Sequence, residues 1–226
     1  MKKILTIALC GLMILSGCST MSNLAKGALI GTAGGAAVGA GVGALIGGEK
    51  GAAIGAAIGT AVGAGAGSII GDVMDRKAAE LAELNAQIDT LTDVNGLKGI
   101  KVTFDSGILF ATNKADLSAE AKANLKKFAE DMKDLTDTDI TVYGHTDNTG
   151  TAEVNERLSL QRAESVAKNL QANGIAKSRI VTEGKSFTMP VADNATAEGR
   201  KLNRRVEIYI TANEDMVKAA EAGELK

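Results

Sequence analysis

The chain predicts an α+β fold centred on one two-layer domain, a mixed β-sheet covered by two main helices, over about residues 97 to 212. Three patterns predict it. Apolar residues alternate with polar ones at Val102 and Phe104 and again at Val206, Ile208 and Ile210, the period of half-buried strands. They recur at helical spacing at Ala121, Leu125, Phe128 and Met132, and at Leu158, Val166 and Leu170. Strand and helix patterns then succeed one another along the chain, so the helices have a sheet on which to bury their stripes.

The N-terminal elements come first in order. Lys2 and Lys3 precede an apolar run from Ile4 to Leu15, too short to span a bilayer and typical of a signal peptide over residues 1–17. Leu15, Ser16, Gly17 and Cys18 resemble a bacterial lipobox, which implies lipidation of Cys18 and a lipidated N-terminus over residues 18–26. Ser19, rather than an Asp, follows the anchor, and the lipoprotein resemblance then favours the outer membrane. Cys10 falls in the discarded segment, so no cysteine pair is left for a disulfide.

Residues 27–71 carry glycine at every fourth position, from Gly27 through Gly47 and Gly51 to Gly71. That spacing keeps glycines on one helix face, where a second backbone can approach closely. Each glycine costs about 1 kcal/mol in a helix interior, so the ladder forms an isolated aqueous helix poorly and needs close contacts or lipid to compensate. Glu49 and Lys50 divide it into two apolar segments of about bilayer-spanning length, which suggests a hairpin of packed helices. The pattern resembles glycine zippers of envelope lipoproteins; a Gly/Ala spacer is the alternative.

Residues 72–96 turn charged and helical. Met74, Leu81 and Ile88 recur every seven residues, with Leu84 and Leu91 between them, and Lys77 interrupts the seam. The stalk could dimerise or trimerise the protein, or pack on its own domain. The globular part then runs from a strand around Val102 and Phe104, through the helix bearing Leu125, to a strand at Ile140 to Gly144. A turn at Asp147, Asn148, Thr149 and Gly150 leads into the second helix, which Asn173, Gly174 and Ile175 end in a left-handed cap. A strand from about Arg179 to Gly184 and the final strand complete the sheet, and residues 213–226 form a C-terminal tail.

The candidate site is the loop and helix from Gly144 to Ala163. Asp147 lies at a strand's carboxyl end, and Asn155, Ser159 and Arg162 fall on the inward face of the following helix. A carboxylate beside a planar guanidinium suits a ligand with an ammonium and a carboxylate, although an Asp and an inward Arg can also form a structural ion pair. The runs G-H-T-D-N-T-G, N-E-R-L-S-L-Q-R-A and G-R-K-L-N-R-R-V-E-I occur together, and their combination resembles the C-terminal domain shared by outer membrane protein A and peptidoglycan-associated lipoproteins. The resemblance implies noncovalent binding of peptidoglycan, with Asp147 meeting the ammonium of the stem-peptide diaminopimelate and Arg162 its carboxylate. It also implies a ligand contact at Asn113, beside Ala111, where the family commonly has an Asp. Arg204 shares the parity of Val206 and Ile208 and is favoured over Arg205, while Asn155 and Asn203 are either loop braces or ligand contacts.

Composition narrows the function classes. Twenty-five basic against 27 acidic residues leave a net charge of −2 and no broad basic field for nucleic acid. One histidine, His145, provides neither a His-rich metal set nor a Ser/His/Asp arrangement, and it reads as a loop-packing residue. No cofactor or catalytic residue is expected. The leading expectation is a lipid-anchored outer membrane protein, its C-terminal domain in the periplasm, tethering the membrane to the cell wall; self-association through the zipper or stalk would multiply weak contacts. The alternatives are a hydrolase using acids such as Asp105 and Asp147, and a membrane-remodelling or pore-forming oligomer built on the glycine ladder.

Overall fold

The structure, a computed structural model, describes residues 64–93, 95–111 and 113–225. The signal segment, Cys18 and the glycine ladder up to Gly63 lie outside the described residues. The described chain opens with α1 (Ala64–Leu81), followed by β1 (Gln87–Thr92), β2 (Lys98–Asp105), the single turn α2 (Ser106–Leu109) and α3 (Ala119–Asp131). Then come β3 (Thr138–Gly144), α4 (Ala152–Ala172), a 3-10 turn, β4 (Ile180–Gly184), α5 (Ala197–Asn203), β5 (Arg205–Ala212) and α6 (Glu214–Glu221).

The five strands form one mixed sheet in the order β1-β2-β5-β3-β4. All neighbours are antiparallel except β3 and β4, which are parallel because α4 carries the chain back between them. Register follows the apolar parity: Ile88 pairs with Val102, Val102 with Ile208, and Ile208 with Val142, so one row of apolar side chains crosses four strands. That face meets Leu125 and Phe128 of α3 and Val166 and Leu170 of α4, all fully buried in one core. The expected two-layer α+β domain is therefore the observed one.

Both main helices begin and end as their sequences dictate. Ser118 and Thr151 cap α3 and α4 by accepting from Ala121 N and Val154 N. At the far end of α4, Gly174 takes φ +104°, while Ile175 N donates to Leu170 O and Gly174 N to Gln171 O, a Schellman closure.

Two expectations need correction. The stalk does not continue to residue 96: the helix ends at Leu81, and Gln87–Thr92 is an edge strand paired with β2. Leu81, Leu84, Ile88 and Leu91 satisfy a heptad, and Ile88 and Leu91 have opposite strand parity; the Ile and Thr residues of Gln-Ile-Asp-Thr-Leu-Thr nonetheless suit a strand, and pairing with β2 overrides the helical spacing. Of the alternatives for the stalk helix, packing on its own domain is the one observed. Ile70, Met74 and Leu81 are fully buried in the domain core, and α1 lies against α6, β1, β2 and α3. Lys77, the flaw in the heptad seam, is what the domain uses: its ammonium reaches Glu80 at 2.5 Å, Asp134 at 2.8 Å and the Asp131 carbonyl at 2.7 Å.

The second correction concerns the C-terminal tail, which forms α6. Asn213 caps it by accepting from Asp215 N and Met216 N, and Met216, Val217 and Ala220 are buried in the core. The last two rungs of the glycine ladder, Gly67 and Gly71, lie in α1. A Cβ at Gly67 would make ordinary contact with Leu97 at 3.8 Å, and one at Gly71 would meet nothing within 4 Å beyond its own helix. Among the described residues, neither rung is approached closely by another backbone. Among the described residues, no helix is long and apolar enough to cross a membrane.

Candidate functional site

The loop between β3 and α4 is held from both sides. His145 N donates to Arg205 O and Thr146 N to Ser186 O, each at 2.9 Å, which locks the loop to β5 and to the segment after β4. Asp147 turns the chain by accepting from Thr149 N at 2.9 Å, and Gly150 at φ +90° completes the reversal before α4. Asn155 then ties the helix back to the loop, its Nδ2 donating to Thr149 O at 3.0 Å. Close approach of α4 to the sheet requires glycine twice. A Cβ at Gly144 would lie 2.0 Å from Ser159 O, and one at Gly184 would lie 2.6 Å from Ser159 Oγ.

These constraints place Asp147, Asn155 and Arg162 along one cleft of about 500 Å³, with Asn113, Arg200, Lys201 and Arg204 also on its walls. Four cationic side chains line it against the carboxylates of Asp105 and Asp147, so an anionic group is the favoured occupant. Among the described residues, no set of His, Cys, Asp and Glu side chains is grouped as a metal site needs.

The ion pair inside the cleft is not between Asp147 and Arg162. Asp147 Oδ2 accepts from Arg204 Nη1 at 2.5 Å, with Asp147 nearly buried and Arg204 half-exposed. Burial raises the Asp147 pKa, but the Arg204 guanidinium and the Thr149 donor outweigh it and hold the carboxyl below its usual range. Arg162 is buried and differently held: Nε donates to Lys114 O at 3.1 Å, and the guanidinium stacks 5.2 Å from the centroid of Phe110. Its Nη groups have no hydrogen-bond partner among the described residues. Burial, and then the nearby Arg204 charge, lower its pKa, with Asp147 opposing. Asn113, at φ +57°, sits in the turn that brings Lys114 O to Arg162.

Arg204 reaches the cleft by a different route from that expected. It is not in the final strand but closes α5 at its C-cap, while its carbonyl accepts from Ser106 N at 3.0 Å. Arg205 begins the strand and is spent internally, on Glu207 at 2.8 Å and on the Asn203 and Met189 carbonyls. Asn203 does not line the cleft. Its Oδ1 accepts from Val191 N and Ala192 N, and its Nδ2 donates to Ala192 O and Asn194 Oδ1, so the amide is consumed in bracing the loop behind Arg200. Arg200 caps that same loop by donating to Asn194 O at 2.9 Å.

Residues 109–204 match the OmpA family, and residues 1–75 match the YMGG-like Gly-zipper family. The C-terminal domain belongs to the OmpA family. "Probable lipoprotein YiaD" of Escherichia coli is 39% identical over 112 residues, covering 50% of this chain and 51% of that protein. "Peptidoglycan-binding protein ArfA" of Mycobacterium tuberculosis is 43% identical over 103 residues, 46% of this chain and 32% of that protein. The chain thus spans about a third to a half of the length of these curated relatives. Among solved structures, the cell wall anchor of the T6SS from Pseudomonas aeruginosa superposes with a TM-score of 0.52 at 32% identity, covering 62% of this chain and 97% of that one. Each is named for binding, anchoring or lipid attachment, none for a reaction.

Two features of the OmpA-family domain escape a reading of the linear sequence. Asp105, Ser106 and Gly107 line the cleft because Asp105 caps α2, accepting from Gly107 N at 2.6 Å; the Asp-Ser-Gly run is a helix-start signal that could have located this wall. The other is the buried polar network behind the cleft, where His145 Nε2 lies 3.2 Å from Glu207 Oε2 and Tyr209 Oη donates to Glu207 at 2.8 Å. Alternation places Glu207 and Tyr209 on the face away from the helices, but only the strand order brings His145 to them.

Proposed function

We propose that the OmpA-family domain binds peptidoglycan noncovalently through the diaminopimelate of its stem peptide, and that a lipid on Cys18 holds the other end in the outer membrane, so that the protein tethers membrane to wall. The observation that carries this reading is the buried, partly unsatisfied guanidinium of Arg162 sharing a cleft with Asp147. A ligand carboxylate can take the open Nη groups in the bidentate geometry that guanidinium favours. An ammonium on the same ligand can share or replace Arg204 at Asp147. Asn155 and Asn113 shape the walls around that pair, and each charge-assisted bond contributes about 1.5 to 3 kcal/mol.

Relatives named for peptidoglycan binding, cell wall anchoring and lipid attachment support the same reading. The Gly-zipper match supports a membrane-associated hairpin within residues 27–63, the rungs that α1 does not carry onto the domain, which would seat the anchor end and permit self-association. Deletion of residues 27–63 leaves α1 intact, so sacculus binding by that variant separates the zipper's role from the domain's.

The test is co-sedimentation of the full chain in detergent with purified sacculi, beside Asp147→Ala and Arg162→Ala. The parent is expected to sediment, and each variant to lose at least about tenfold in affinity while keeping its circular dichroism. Equal sedimentation of all three would sink the site assignment. Release of soluble muropeptides by the parent, abolished in Asp147→Ala, would replace the tether with a hydrolase.

A further inference from the structure

A second cavity of about 350 Å³ adjoins the cleft, and the two share Asp105 and Lys201 in their walls. Its far wall is Leu84, Asn85, Ala86 and Gln87, the segment joining α1 to β1. That segment precedes residues 109–204, so this wall lies outside the part of the chain matched to the OmpA family.

We infer that this cavity is a subsite for the N-acetylated sugar and lactyl-alanyl link at the glycan end of the muropeptide whose diamino acid occupies the first cleft. The inference rests on the proposed function above and extends it. The chemistry of the walls selects the occupant. Leu84, Ile108 and the exposed Leu202 offer small apolar surfaces, and Asn85 and Gln87 offer amides, a combination suited to methyl groups beside amide bonds. The Arg205 guanidinium, also in the wall, is already occupied by Glu207 and two carbonyls, so the cavity has no open guanidinium and does not duplicate the first site.

Direction follows from the junction. Lys201 is two-thirds exposed and stands 3.9 Å from Asp105, a loose surface pair that can be exchanged at little cost. A γ-linked glutamyl residue carries a free carboxylate immediately on the sugar side of the diamino acid, whereas the alanine on its other side contributes none when the stem continues. A mobile cation at the junction therefore matches the sugar side. The peptide would pass Lys201 with its carboxylate outward, leaving the alanyl methyl and the acetamido group to enter the second cavity.

The experiment compares two ligands on the full chain in detergent by isothermal titration: the free stem tripeptide ending in diaminopimelate, and the same peptide on its disaccharide. The parent is expected to bind the disaccharide-peptide about tenfold more tightly than the peptide. Leu202→Glu and Gln87→Ala, both at exposed positions, should erase that increment and leave peptide affinity unchanged. Equal affinity of the parent for the two ligands, or an equal loss of both ligands in the variants, overturns the subsite. If neither ligand binds the parent, the failure is that of the first cleft, and the subsite falls with it.

Discussion

Replacing Gly144 by alanine tests whether the fold, and not only the side chains, sets the cleft. The nearest atom to an added Cβ is Ser159 O at 2.0 Å, where ordinary contact begins at 3.4 Å, so 3.4 − 2.0 requires a retreat of about 1.4 Å. No rotamer relieves it, because the obstacle is the backbone of α4. The helix must lift from β3, and it carries Asn155 and Arg162 with it, while Asp147 stays on the loop bonded to β5 and to Ser186. Overpacking of this kind costs about 2 to 3 kcal/mol. For a domain of this size that lowers Tm by roughly 5 to 10 °C.

The functional consequence is separable from the stability loss. A binding constellation tolerates displacement of only about 0.5 Å, so sacculus affinity should fall about tenfold at temperatures where the variant is still folded. Gly174→Ala is the control: its φ of +104° makes the substitution strained, but it sits at the far end of α4 with open space around the new methyl. It should lower Tm and leave binding intact. Differential scanning calorimetry with sacculus co-sedimentation decides the matter. Gly144→Ala with the parental Tm and parental binding would refute the argument that this close approach positions Arg162.

Acid should destabilise the domain in two windows. Burial holds His145 below its ordinary 6.5 despite Glu207, so the unfolded chain takes up that proton first, and stability should begin to fall below about pH 6.5. Burial raises Glu207, but His145 and Arg205 outweigh it and bring it from 4.5 to about 2; its contribution is present above 4.5 and disappears as pH falls through that interval. Urea titrations across the range should show both slopes, and His145→Gln should flatten the upper one; an unchanged upper slope excludes His145 as its source. Sacculus binding by the parent should persist into mild acid, because Asp147 ionises below its usual range, and decline once it protonates, whereas Asp147→Asn should bind weakly without that decline. Lys77→Met keeps the buried stem and removes three hydrogen bonds, costing about 1 to 2 kcal/mol, and hydrogen exchange should rise first in residues 64–81. Uniform exchange across the domain would show that α1 is not held by Lys77.

Elements whose burial is one-sided were legible in the sequence. Leu125, Phe128, Val166 and Leu170 mark helices because a sheet is present to cover them, and Val206, Ile208 and Ile210 mark a strand for the same reason. Phase alone was enough to turn Asn155, Ser159 and Arg162 inward. What sequence hid were choices made between distant partners. Residues 87–92 carry a helical i, i+3 spacing at Ile88 and Leu91, and only pairing with β2 makes them a strand. Lys77 looks like a defect until Asp134 and Asp131 are brought against it from the end of α3. The Asp147 partner was missed because Arg162 and Arg204 are both within reach of the loop, and only the position of the α5 C-cap decides which guanidinium arrives first.

That choice of partner divides the labour within the proposed site. Asp147 is already paired with Arg204, so a ligand ammonium exchanges one charge-assisted bond for another, and the loss of about tenfold expected of Asp147→Ala comes from leaving that ammonium to face an unopposed Arg204. Arg162 is buried on the cleft wall with its Nη groups unbonded among the described residues, held by the Phe110 ring and the Lys114 carbonyl. A ligand carboxylate therefore adds bonds to Arg162 without breaking any within the protein. It also offsets the burial and, after it, the Arg204 repulsion that lower the Arg162 pKa. In the proposed site the larger gain on binding is therefore expected at Arg162. Asp147 supplies discrimination, because a ligand with a carboxylate but no ammonium leaves the Arg204 bridge in place and gains nothing on that side, while one with a second anion there must break the bridge and face the Asp147 carboxylate.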